Sequence, residues 1–555
     1  MVEEPRVALE VEGRPSRAFA GAPLLRALAS SGLPTLQRSI RYHRPRAPFC
    51  GVGQCTQCLV RVNGVPNVRA CRYVPRPGDR VSFENAWPST RHDLLGVLDL
   101  LFRHGLDTAH GFRRPAVARP IYQRIIRRLA GYGRLPDAAP APLSFPGEAL
   151  DTDVLVVGGG TSGRAAAEIL AHAGVDVTVV DRALDAPAVT GTRSFAASTA
   201  VFLPPPRPPR SRPFTALVAR EGRGGLNVRA RRVVLAPGGY DAGLWFAGSD
   251  RPGVMTADGA VALFGTRSDP DFRHAAVVGS GPRAAELLDR WGERIDAVIA
   301  TGTIPPEVTR RASSLDIPLY PRTLLLAALG RSRVRGVELA ARGGGGAFRV
   351  TADAVLLAHR RLPNAQLFFQ AGARMIWRAE GGAYYPDVDA TGATSVPGLF
   401  AVGAASATLD PAGAQHSGER AARALTGTGT DGPAPPRLDP DRPGEMEGYY
   451  RELLARPRAR ARKWIACACE DVLLDEIEEA SRLGYRGIEV IKRYTSLGTG
   501  LCQGRYCLPD TLLLLARLEE RSPREVGYIT QRPPVVPTSL GALAALPDDA
   551  TEEGA

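Results

Sequence analysis

All eight cysteines of the chain fall into two groups of four, Cys50, Cys55, Cys58 and Cys71 near one end and Cys467, Cys469, Cys502 and Cys507 near the other. Cysteines that serve only as small core hydrophobes have no reason to bunch in this way. The chain starts MVEEPRVALEVEG, acidic and alternating, which reads as a first strand and lacks the basic-then-apolar layout of a secretory signal. A cytoplasmic protein is therefore expected, and in that compartment cysteines are more often metal ligands or catalytic groups than disulfides.

In the first group, FCGVGQCTQCLVRVNGVPNVRAC places Cys50, Cys55 and Cys58 as C-x4-C-x2-C, with Cys71 after twelve further residues. Four thiolates are what a [2Fe–2S] cluster needs, and this spacing is that of the plant-type ferredoxin loop. Gly51 and Gly53 suit a loop whose amides must turn inward toward a charged cluster. Residues 6–14 and 58–64 alternate like strands, and Asn63-Gly64 is a hairpin-turn dipeptide. Structural zinc and free core cysteines are the rival readings, and zinc favours paired C-x2-C knuckles.

The second group lies in WIACACEDVLLDEIEEASRLGYRGIEVIKRYTSLGTGLCQGRYC, where Cys467-x-Cys469 is followed after 32 residues by Cys502-x4-Cys507. Between them Leu473, Leu474, Ile477, Leu483, Ile488 and Ile491 recur at helical spacing, so helices are expected to bring two short cysteine loops together. This is no zinc-knuckle spacing, although zinc stays the main rival to a second cluster. It resembles the bacterioferritin-associated-ferredoxin-like [2Fe–2S] domain.

At 555 residues the chain is too long for one core, and three or four domains are expected. No apolar run reaches the roughly 18 residues of a membrane span. The net charge of +13 comes mainly from scattered arginine, without the aromatic interleaving of a single-strand surface, so no nucleic-acid partner is expected. A positive face suits an acidic redox partner instead.

Between the cysteine groups, helix-like patterning at 92–130 leads to a linker, PDAAPAPLSFPGE, at 136–148. Then DTDVLVVGGGTSGRAAAEILAHAGVDVTVVDR runs from an apolar strand into Gly158-x-Gly160-x-x-Gly163, a helical stretch and a second strand ending at Asp181. That context is what the dinucleotide fingerprint demands. The glycines let a pyrophosphate approach the helix N-terminus, and the acid accepts hydrogen bonds from ribose hydroxyls. A weaker copy, Gly279-x-Gly281-x-x-Ala284, is followed by a strand with Ala300 and Thr301 where the acid belongs. This removes the usual ribose acceptor, and no nearby arginine supplies an NADP phosphate site. The unit is expected to keep its fold more readily than an NAD(P) ligand. A further strand, VPGLFAVGA, delivers Gly403. Two Rossmann-like units, one inserted in the other, resemble two-dinucleotide flavoproteins of the disulfide-reductase type. The resemblance implies FAD on the first unit, and NAD(P)H or a vestigial site on the second. Two departures bear on the flavin: Gly403-Ala404 stands where such enzymes carry Gly-Asp, and LPPPRPPRSRP interrupts a short segment between Asp181 and Val233.

RSIRYHRPRAPFC, FENAWPS, APGGYDAGLWFAGSDRPGVM, CACEDV, IKRYTSLGTGLCQGRYC and ITQRPPVVPTSLGALA, in this order, resemble the alpha-subunit family of heteromeric sarcosine oxidase. Related members are opine, proline and hydroxyproline dehydrogenases and hydrogen cyanide synthase. The resemblance covers nearly the whole chain. It implies that an amine is oxidised on a separate D-amino-acid-oxidase-like flavoprotein subunit, while this chain passes electrons to a downstream acceptor. Full sarcosine oxidase alpha subunits continue into a folate-binding half; this chain ends near that point with DDATEEGA, which favours the shorter dehydrogenase members.

The expected architecture is an α/β and α+β multidomain chain. A ferredoxin-like β-grasp domain spans 1–95, and a helical connector and linker span 96–150. An FAD-binding Rossmann-like domain takes 151–260 and 360–435, with a second dinucleotide-binding-like domain inserted at 261–359. A small helical [2Fe–2S] domain at 440–530 and an extended tail at 531–555 complete it. The cofactors expected are two [2Fe–2S] clusters and FAD. An NAD(P)H-dependent reductase and a flavin-free iron–sulfur relay are the alternatives. No side chain stands out as a general base or nucleophile; His43 and His416 read as packing or surface residues, and no catalytic residue is named.

Overall fold

In a computed structural model, the alternating start of the chain forms a hairpin, with strand Arg6–Val11 paired antiparallel to Arg14–Phe19. The residues described are 5–30, 35–102, 105, 133, 147–205, 214–220, 223–265, 270–407, 410–429, 444–458 and 462–544. Most of the helical pattern at 92–130, the linker at 136–146, residues 206–213 of the proline-rich stretch and the acidic tail lie outside them. The chain divides into two units, one of residues 1–139, 241–360 and 445–528, the other of 140–240, 361–444 and 529–555.

Three parts of the first unit, besides a three-stranded antiparallel sheet of 323–329, 336–341 and 348–350, carry or adjoin the cysteine groups. The amino-terminal hairpin joins a five-stranded mixed sheet in the order 14–19, 6–11, 80–82, 59–62, 65–69. Helix Leu24–Ser30 covers it, with Leu24, Leu25 and Leu28 fully buried. This is a β-grasp. Its 59–62/65–69 hairpin turns at Asn63 and Gly64, both at positive φ, as a two-residue primed turn requires. Next is a parallel five-stranded sheet in the order 254–256, 354–357, 275–278, 295–299, 319–320, flanked by helices Ala257–Phe264, Pro282–Trp291 and Pro306–Ser313. The third part is helical: Glu445–Ala455, Leu474–Arg482, Ile488–Thr495 and Leu508–Glu519, with a short hairpin at 465–467 and 472–473. Ile477, Ile488 and Ile491 are buried, as the helical spacing predicts. Leu483 is not: it caps the end of its helix and is 56% exposed. Leu473 belongs to the hairpin, immediately before the helix starts.

Buried ions tie these three parts together. Arg46 reaches Asp250 at 2.6 Å and also bonds Asp471, and all three side chains are no more than 2% exposed. Arg44 bonds both oxygens of Asp250 at 2.7 and 2.8 Å. Burial alone would raise the Asp250 carboxyl, but Arg44 and Arg46 hold it well below the usual carboxylate range.

In the second unit, a parallel core continues as a meander, in the order 193–195, 177–180, 148–157, 224–235, 214–220, 198–202, with 399–401 also pairing to 224–235. Helices Thr161–His172 and Pro411–Thr426 pack against one another. The apolar residues VVLAPGGY, 233–240, are the end of strand Gly224–Leu235, three residues without regular structure and the start of strand Gly239–Asp241. No helix among the described residues is long and apolar enough to cross a membrane.

Removing one partner of a buried ion pair leaves the other charge uncompensated. Arg46→Met is expected to destabilise the first unit by about 3–5 kcal/mol, read as a lower urea midpoint, and Arg46→Lys to recover only part of it.

Candidate cluster and dinucleotide sites

The first cysteine group sits on the loop between the Pro45–Arg46 and Leu59–Val62 strands, with Cys71 closing it after strand Val65–Arg69. All four sulfurs belong to buried residues. Cys50 bonds Cys55 and Cys58 bonds Cys71, giving two adjacent pairs. Gly51 and Gly53 have φ of 63° and 76°, and a Cβ on Gly51 would lie 2.8 Å from the Ala262 methyl. That conformation aims amides inward: Gln54 N–H donates to Cys50 Sγ at 3.3 Å and Gln57 N–H to Cys55 Sγ at 3.5 Å. Burial would raise the Cys50 thiol, but the Cys55 thiol and the amides of Val52, Gln54 and Cys55 pull it below the ordinary range. The loop therefore favours thiolate at Cys50, as a ligand requires.

In the second group, Cys467 ends the Ile465–Cys467 strand, and Cys507 caps the start of helix Leu508–Glu519. Cys467 bonds both Cys469 and Cys507, and Cys469 bonds Cys502, so the four form one contiguous set. The neighbouring thiols, with the amides of Gly498 and Glu470, hold Cys467 well below the usual thiol range despite burial. Gly500 is required by closeness, since a Cβ there would lie 2.6 Å from Cys469 Cβ. Cys467, Cys469, Cys502 and Cys507 all line one cavity, and Cys55 of the first group lines it too. Among the described residues no three His, Cys, Asp or Glu groups converge where a single metal ion would sit. Two adjacent pairs in the first group, and a run of four in the second, suit a two-iron cluster, in which each iron takes two thiolates.

The second unit brings Gly158, Gly160, Gly163, Asp181 and Gly403 together. Gly158 has φ of 104°, and a Cβ on it would meet Ala236 O at 2.1 Å. Helix Thr161–His172 starts at Gly160 with no side-chain cap, leaving its first amides for a pyrophosphate. Asp181 accepts from Gly159 N–H and Ala183 N–H, both at 2.6 Å, which fixes its carboxylate beside the glycine loop. Each oxygen keeps a lone pair for a ribose hydroxyl. Gly403 N–H donates to Ser417 Oγ at 3.1 Å, and a Cβ on Gly403 would meet Ser162 Oγ at 2.2 Å. Motif spacing alone does not single out Gly418. It lets its helix touch the other, with Ser162 O 2.0 Å from where its Cβ would be, and a glycine inside a helix is the signal that marks it.

Gly279 and Gly281 form the matching turn of the first unit, where a Cβ on Gly279 would meet Ala358 O at 2.3 Å. The end of its second strand differs. Thr301 Oγ1 donates to Glu445, whose carboxylate also lies against Gly302, 2.6 Å from where a Cβ would be. Beside the Gly279 turn stands His359, both ring nitrogens buried without a partner among the described residues. Burial and then Arg360 lower it to about 3. His43, by contrast, is a buried partner of Asp93 at 2.9 Å, and His416 is exposed on its helix.

A β-grasp loop holding four thiols, a dinucleotide fold and a second thiol set define a multi-centre iron–sulfur flavoprotein. Known proteins agree. Residues 4–86 match a 2Fe-2S iron-sulfur cluster binding domain, 151–195 an FAD binding domain and 460–546 the sarcosine oxidase A3 domain. The chain is 28% identical to the alpha subunit of sarcosine oxidase from Rhizobium meliloti over 96% of its own length and 57% of that protein. It thus spans little more than half of that relative. It is 26% identical to an opine oxidase subunit of the same organism, over 71% of this chain and 98% of the relative. Hydrogen cyanide synthase subunit HcnA of Pseudomonas aeruginosa is 39% identical over 79 residues, 14% of this chain and 75% of that one. The crystal structure of L-proline dehydrogenase from P. horikoshii shares the fold, with a TM-score of 0.68 over 98% of both chains at 20% identity. The chain belongs to the alpha-subunit family of sarcosine oxidase and its opine oxidase relatives.

Two outcomes test these sites. Gly163→Ala would place a Cβ 1.8 Å from Gly158 O, so the purified protein is expected to lose its flavin absorbance while keeping its iron and sulfide. For His359, an unfolded chain takes up a proton below 6.5, whereas the folded one does so only near 3. Stability is therefore full above that window and falls as pH falls through it; urea midpoints of His359→Phe are expected to decline less between about pH 7 and 5 than those of the parent.

Proposed function

We propose that this chain is the FAD- and [2Fe–2S]-bearing electron-transfer subunit of a heteromeric amine or imino-acid dehydrogenase or oxidase, of the sarcosine, proline or opine type. Cys50, Cys55, Cys58 and Cys71 hold one cluster, and Cys467, Cys469, Cys502 and Cys507 the other. Gly158, Gly160, Gly163, Asp181 and Gly403 cradle the FAD. A separate D-amino-acid-oxidase-like flavoprotein subunit takes a hydride from a secondary amine, leaving an imine that water hydrolyses. The electrons then cross this chain to a downstream acceptor, in the cytoplasm. A flavin suits the conversion of two-electron chemistry into one-electron steps.

The observation that carries this reading is the pair of buried thiol quartets bordering one cavity. Such an arrangement serves electron passage. The rival reductase reading needs NAD(P)H on the Gly279–Gly281 turn, and there Glu445 already lies against Thr301 and Gly302.

Anaerobic spectroscopy of this chain, purified together with its partner, tests the proposal. Sarcosine, proline or an opine is expected to bleach the cluster absorbance of the complex. NADH or NADPH is expected to leave the isolated chain oxidised. Rapid bleaching by a nicotinamide without any partner would instead establish the reductase, and stoichiometric iron and sulfide without flavin would establish a flavin-free relay.

A further inference from the structure

Cys50 and Cys507 each follow an aromatic residue, and those two residues meet. The rings of Phe49 and Tyr506 lie edge to face, with centroids 5.2 Å apart and planes at 84°. The path Cys50–Phe49···Tyr506–Cys507 thus crosses from one thiol set to the other with one through-space step. A second contact runs beside it, since Tyr506 Oη lies 3.5 Å from Gln54 Oε1 on the first cysteine loop. Both rings line the cavity that holds the second thiol set and Cys55.

Neither ring's place is left to chance. Phe49 O accepts from Thr256 N–H at 3.0 Å and from Thr256 Oγ1 at 3.3 Å, at the N-cap of helix Ala257–Phe264. Gly259, in the first turn of that helix, has no Cβ where one would lie 2.1 Å from the same oxygen. Gly243 passes close to the Tyr506 carbonyl, 3.2 Å from where its Cβ would be. The Arg46 ion cluster lies a few residues before Phe49 and binds the same two parts of the unit.

We propose that the Phe49–Tyr506 pair is the electronic contact between the two cluster sites, with both rings acting as positioning residues. This rests on the two-cluster reading above. One electron moves: a ferrous iron of the reduced site becomes ferric, and a ferric iron of the other site becomes ferrous. No bond breaks and no proton is exchanged. The tyrosine hydroxyl is not needed as a redox carrier, because the ring edge alone bridges the gap.

The test follows electron redistribution between the two sites after sub-stoichiometric photoreduction, by freeze-quench electron paramagnetic resonance on the full chain. Tyr506→Leu keeps bulk but removes the ring, and exchange is expected to slow by about fivefold or more. Tyr506→Phe is expected to stay within about twofold of the parent, because it restores the ring edge. Phe49→Leu should reproduce the slowing and stands in if Tyr506→Leu does not fold. Iron, sulfide and both resonance signals are measured on every variant. Exchange in the leucine variants less than about fivefold slower than the parent, with both signals present, would overturn the proposal. A parent protein showing only one cluster signal would count against the ligand assignment instead, so the two failures are distinct.

Discussion

Arg46 is the residue on which the first unit depends. Its guanidinium is buried between Asp250 and Asp471, residues more than two hundred positions away in either case, and it joins the β-grasp, the parallel sheet and the helical part. Taking three charges out of water costs several kcal/mol per ion, and only close, multiply bonded geometry repays it. Here that geometry is met. Arg44 adds two bonds to Asp250, and Asp471 accepts from the Arg41 amide at 2.8 Å. Such a cluster tolerates little sliding, because any shift leaves a buried charge without a partner.

The cysteine groups inherit their relation from that constraint. Arg46 lies four residues before Cys50, and Asp471 two residues after Cys469, so the ion cluster holds both loops at their roots. Close backbone approaches complete the docking, since a Cβ on Gly259 would lie 2.1 Å from Phe49 O and one on Gly51 2.8 Å from the Ala262 methyl. The result is one cavity that touches both thiol sets.

The two glycine turns show how a shared motif diverges through its surroundings. In the second unit Asp181 faces the loop and holds Gly159, keeping an acceptor beside a bare helix N-terminus. In the first unit the same position is Thr301, and its hydroxyl is engaged by Glu445 from a helix nearly 150 residues away. One turn keeps an acid beside its glycines. The other has filled that place with its own carboxylate.

Much of this was legible in the residues. The spacing of the cysteines announced two four-thiol loops, because ligands of a small cluster must come from short, turned segments. The strand–glycine–helix–acid pattern announced the dinucleotide fold, since its geometry is local. Asn63-Gly64 announced its hairpin for the same reason. What the sequence could not tell is which distant side chains meet. Arg46 and Phe49 lie in the motif RSIRYHRPRAPFC, but nothing in it names Asp250 and Asp471 or Tyr506 as their partners, and nothing marks Glu445 as the partner of Thr301. Those pairings depend on how separate elements pack, and packing is decided by burial and shape across the whole unit rather than by any local pattern. The sequence by itself determined the two groupings of cysteine; the tertiary structure decided that Cys55 of the first lines one cavity with the whole of the second, because the buried charges at the roots of both loops find their partners only when the loops lie side by side.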